Sequence, residues 1–83
     1  MDFMLEEELM DLMTFCLQNP EDATTVEKKE RITQIGSELY ADGGVDALEN
    51  FFFALDNRIQ GELEMDAKVF RPLWNGLDPA WNH

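Results

Sequence analysis

A chain of 83 residues has room for one domain, and at that size it buries only about 60% of the surface its unfolded form exposes, so a second copy or a partner is the natural supplement to its core. One cysteine, Cys16, and one histidine, His83, exclude a disulfide framework and a zinc site. A formal net charge of −12, from 18 acids against 6 bases, excludes the basic footprint of a nucleic-acid binder and repels anionic membrane surfaces, while a hydrophobic share of 45% marks a sequence that folds.

The charge is uneven. Asp2, Glu6, Glu7, Glu8, Asp11, Glu21 and Asp22 fall within residues 1–25, where there is no Lys or Arg. Glu6 to Glu8 also interrupt the apolar opening that a signal peptide needs, and no apolar run approaches the roughly 20 residues of a membrane span. A lone thiol suits a reducing compartment, so the expected location is the cytoplasm.

The first helix is predicted over Asp2 to Leu17, ended by Asn19-Pro20. Leu5, Leu9, Leu12, Met13 and Cys16 recur on one helical face, and the early acids suit the positive end of the helix dipole. The second helix opens at Thr24-Thr25-Val26-Glu27, read as a capping box in which Thr24 caps and Glu27 reaches back. Ile32, Ile35, Gly36, Leu39 and Tyr40 form its apolar stripe, and Gly43-Gly44 ends it. The third runs from Val45 to Gln60 on Leu48, Phe51, Phe52, Leu55 and Ile59, with Gly61 closing it. So short a connection makes the second and third helices antiparallel or sharply crossed neighbours. A fourth begins near Glu62 to Asp66 and carries Leu63, Ala67, Phe70 and Trp74, with Pro72 kinking or ending it. Trp81, in the tail that follows Gly76, is expected to fold back onto the bundle. The expected fold is an all-α, four-helix bundle-like domain spanning residues 1–83, with a central hairpin joined at Gly43-Gly44 and a Pro-interrupted C-terminal helix.

Chemistry is scarce. Cys16 lies in an apolar stripe, Ser37 has no base in view, and the only imidazole, His83, is the last residue in the sequence. Glu62-x-Glu64-x-Asp66 resembles the start of a calcium loop, but Ala67 replaces the obligatory Gly and Leu73 the bidentate Glu. No Glu-x-x-His pair is present, and Gly43-Gly44 has no following Lys-Ser or Lys-Thr for phosphate. Neither an enzyme nor a cofactor or metal is expected.

The informative residues are apolar ones off the buried stripes. Phe53 falls on the side of the third helix that carries Asp46, Glu49 and Asn57, while Met4 and Phe15 fall between Glu8 and Asp11 on the first. Met1, Met4, Met10 and Met13 enrich that helix in adaptable thioethers. Met4, Glu6, Glu7, Glu8, Asp11, Phe15, Asp46, Glu49 and Phe53 are therefore the candidate interaction residues. The expected function is a non-catalytic adaptor, inhibitor or antitoxin-like module that binds a basic surface of another protein. Two alternatives compete with it. One is a homodimer joined through the same apolar residues, and the other an acidic mimic of nucleic acid that blocks a nucleic-acid-binding enzyme.

Overall fold

A computed structural model describes residues 3–78 and Trp81, with the side chain of Phe3 excepted. Met1, Asp2 and His83, named above, lie outside the described residues, as do Pro79, Ala80 and Asn82.

The described residues are all-helical. Where the sequence predicts four helices there are three helical elements: α1 (Phe3–Gln18), α2 (Thr25–Leu63) and a 3-10 helix (Ala67–Trp74). Both α1 and the 3-10 helix pack on α2.

The difference in number arises at Gly44. Its φ of 71° and ψ of −163° are non-helical, yet the residues on either side stay helical, so the two predicted helices join into one interrupted element. Only glycine enters this region without strain, because any Cβ there meets the neighbouring backbone. A straight α-helix of 39 residues would run about 58 Å. The long axis of the molecule is 30 Å, so the limbs on the two sides of Gly44 cannot be collinear.

Two predicted boundaries are corrected. The capping box does not form, since Thr24 has helical φ and ψ and makes no side-chain cap. Asp22 takes over the turn, its Oδ1 accepting from the Thr24 N–H at 2.8 Å and from the Thr24 hydroxyl at 2.6 Å. Those bonds, the hydroxyl's above all, hold the Asp22 carboxyl below its ordinary range. Thr25, a buried polar residue, donates its hydroxyl to the Asp22 carbonyl at 2.8 Å. At the other end Gly61 stays inside α2, and Glu64 closes the helix in the left-handed conformation (φ 55°), its N–H reaching the Gln60 carbonyl. Continuing past Gly61 lets Leu63 pack against the core.

The last element is a 3-10 helix, and Pro72 lies inside it and does not end it. Asp66 caps its start by accepting from the Lys68 N–H at 2.8 Å, and Asp56 on α2 accepts from the Ala67 N–H at 3.0 Å. The Pro72 carbonyl then accepts from the Asn75 N–H at 3.2 Å.

The core follows the sequence stripes closely. Leu9, Met13 and Cys16 of α1 meet Ile32, Ile35 and Leu39 of the first limb and Leu48, Phe51, Phe52, Leu55 and Ile59 of the second. Each large aliphatic or aromatic side chain so enclosed contributes about 1.5–3 kcal/mol by leaving water. Met10, outside the predicted stripe, is buried as well. Phe52, Trp74 and Trp81 form an aromatic cluster with centroid separations of 5.9, 5.9 and 5.3 Å. Both indole N–H groups are satisfied, Trp74 donating to the Ile32 carbonyl and Trp81 to the Arg71 carbonyl, each at 2.9 Å. The Arg71 guanidinium lies 4.2 Å from the Trp81 ring centroid, a cation–π contact that covers the cluster.

Candidate protein-docking surface

Ordinary helix geometry sorts the candidate residues into two outward lines. On α1, Met4, Glu7 and Asp11 are spaced i, i+3 and i+7, the same side of the helix, and all three are exposed. The second limb of α2 repeats that spacing with Asp46, Glu49 and Phe53, also exposed. Met4 is 80% and Phe53 68% accessible, against 5% or less for Phe51 and Phe52 beside it. Two phenylalanines turned inward force the third outward, since consecutive helical residues are about 100° apart. Phe15 is half-buried, with the Lys28 ammonium 4.5 Å above its ring.

The three consecutive glutamates do something the sequence does not reveal. Glu8 receives a two-pronged pair from Arg31, Nε to Oε2 at 2.7 Å and Nη2 to Oε1 at 3.0 Å. Glu7 meets Arg58 at 3.0 Å, and Glu6 lies 3.7 Å from the same guanidinium. Arg31 belongs to the first limb of α2 and Arg58 to the second, so the run clamps α1 to both limbs. The Arg31 hydrogen bond holds the Glu8 carboxyl below its ordinary value, outweighing the upward push of burial. Hydrogen bonds to Glu8 and Glu7 push the Arg31 and Arg58 guanidinium groups further up. Glu49 pairs with Arg71 at 3.5 Å. Asp11 and Asp46 take part in no ion pair among the described residues and are the candidate acids with the fewest internal ties.

Burial pushes the Cys16 thiol up, against the weaker downward pull of Lys29 and Lys28. Among the described residues no group of three or more His, Cys, Asp or Glu is arranged to hold a metal ion, and no helix is long and apolar enough to cross a membrane.

One feature escapes sequence reasoning. An open groove of about 420 Å³ lies between α1 and the two limbs of α2, walled by Leu5, Leu39, Ala47 and Phe51, with Glu38, Asp42 and Asn50 at its edge. The available signal was Ala47, a small residue one position before the heavy stripe of the second limb, but its meaning depends on where α1 crosses.

No protein-family model matches the sequence, and no curated protein and no solved structure is significantly similar to it.

Proposed function

We propose that the protein works by contact alone, as an adaptor, inhibitor or antitoxin-like module of the cytoplasm that binds a basic surface of another protein. The observation that supports this reading is Phe53: an aromatic ring 68% accessible on a helix whose adjacent outward positions are Asp46 and Glu49. Exposed aromatics ringed by charge are the usual anchors of protein interfaces, the ring supplying affinity and the charges steering the approach. Met4 beside Glu7 and Asp11 offers a second contact of the same kind, and a net charge of −12 biases encounters toward basic partners. In this reading the two limbs of α2 form an antiparallel hairpin, and α1 and the 3-10 helix complete a bundle-like scaffold that presents both lines.

The test is affinity capture from the native cell with the wild-type chain, Phe53→Asp and the double variant Asp11→Asn, Asp46→Asn. Loss of the same basic protein from both variants supports the reading. For the isolated pair, added salt should slow association and change dissociation less. A captured set unaffected by either variant, or tight binding indifferent to ionic strength, would remove it.

A further inference from the structure

The bend at Gly44 and the N-terminal turn of α1 leave the 420 Å³ groove open to solvent, a volume within the roughly 300–1,000 Å³ of ordinary ligand sites. Space is left there because the second limb carries Ala47, where the positions facing the core carry Leu48, Phe51, Phe52, Leu55 and Ile59. The edge is one-signed. Glu38 and Asp42 stand one helical turn apart on the first limb, and none of the residues lining the groove is a Lys or Arg. Glu38 reaches Arg31 only at 3.3 Å, while that guanidinium makes its shorter contacts with Glu8. Asp42 has no ion pair among the described residues, so the edge has unspent negative charge. A second recess of about 260 Å³, near Cys16 and Phe70, has Lys29 in its lining and the opposite polarity.

We propose that the groove takes one large apolar side chain from a cationic amphipathic helix of a partner protein. Lys or Arg residues one turn to either side of that side chain meet Glu38 and Asp42, and Asn50 serves the polar edge opposite. A helix fits where a strand does not, since the described residues include no sheet edge for a strand to extend. Carboxylates bordering an apolar wall attract a cation more strongly than carboxylates in open water, because the wall excludes solvent from one side. The inference rests on the interaction-module reading and adds to it the partner's chemistry, at a site separate from Phe53.

The test titrates the isotope-labelled full chain with a short helical peptide of leucine and lysine, and with its leucine–glutamate counterpart, following backbone amide shifts. The expected result is that the lysine peptide moves the Leu5, Leu39, Ala47 and Asn50 amides and the glutamate peptide does not. Asp42→Lys and Ala47→Phe, which fills the groove, should each weaken binding about tenfold or more. Asp42 is exposed, so Asp42→Lys carries the test if Ala47→Phe does not fold. Shifts confined to the Phe53 side and abolished by Phe53→Asp would overturn the groove assignment and leave the interaction reading standing. The assignment also falls if the lysine peptide fails to bind or binds Asp42→Lys undiminished. Self-association that Ala47→Phe abolishes would overturn it too, by making a second copy the occupant.

Discussion

The indole of Trp74 rests on the bare backbone of Gly36: a Cβ added there would lie 2.3 Å from Nε1 and 2.5 Å from Cδ1. The same nitrogen donates to the Ile32 carbonyl, one turn earlier on α2, at 2.9 Å. Glycine in a helix interior ordinarily costs about 1 kcal/mol relative to alanine, so a helical Gly36 is explained by what lies against it. Gly36→Ala should therefore destabilise by about 1–3 kcal/mol net of its propensity gain, because the ring and its hydrogen bond must move together. Urea unfolding followed by tryptophan fluorescence measures this. An unchanged or raised midpoint would mean that the ring has another seat.

Backbone conformation separates the other glycines. Gly61 lies inside α2, and a methyl group projecting from it would meet nothing within 4 Å, so Gly61→Ala should stabilise by about 0.5–1 kcal/mol. Gly44, at φ 71° and ψ −163°, should lose about 1–3 kcal/mol on conversion to alanine. Glu64 holds a left-handed φ of 55° at the end of α2, and Glu64→Gly should gain about 1 kcal/mol by removing the Cβ penalty. Thermal unfolding of the three variants should rank Glu64→Gly and Gly61→Ala above wild type and Gly44→Ala below it. Any reversal of that order would contradict the placement of the bend or of the helix end.

The Glu8–Arg31 clamp should show itself in acid. The folded-state pKa of Glu8 is lowered from 4.5, so its stabilising contribution is complete above that value and is lost as pH falls through the lowered one. Glu8→Gln should therefore melt below wild type at about pH 7, and the gap should narrow as acidification passes through the lowered Glu8 pKa. A gap of constant size across the range would show that the carboxylate charge contributes nothing. Taking the difference between the two proteins cancels the broader relief of repulsion that acid gives a chain of −12.

Phe53→Asp tests exposure and function separately. A ring mostly in solvent contributes little to folding, so the variant should unfold within about 0.5 kcal/mol of wild type while losing the proposed partner. A drop of several kcal/mol would mean that the ring is packed, and would leave its loss of binding uninformative.

The core was legible because apolar periodicity depends only on helix geometry. Leu9, Met13, Ile32, Leu48, Leu55 and Trp74 lie where their spacing places them. The helix ends were less so, because caps are decided by competition between neighbouring groups. Asp22 outcompetes Thr24 for the turn before α2, and Leu63 carries that helix past Gly61 to Glu64. That Phe53 turns away from its two inward neighbours could be read from helix geometry, but whether another element covers it could not. The role of Glu6, Glu7 and Glu8 could not, since Arg31 and Arg58 reach them only after two distant parts of the chain come together. The effect of Pro72 was only partly legible, for a similar reason. Its cost assumes an α-helix, and the chain adopts a 3-10 helix capped by Asp66.

Cys16 sits 5% accessible on the buried side of α1, and the remainder of the fold meets that helix through packing, two guanidinium contacts and a short turn. Whenever α1 lifts away, its sulfur is uncovered. The sequence thus contains a built-in stopwatch: beyond the access that the recess beside Cys16 allows, alkylation by a thiol reagent advances each time this helix detaches. A bound molecule that braced α1 would slow the count, while one seated elsewhere would let it run at the same pace.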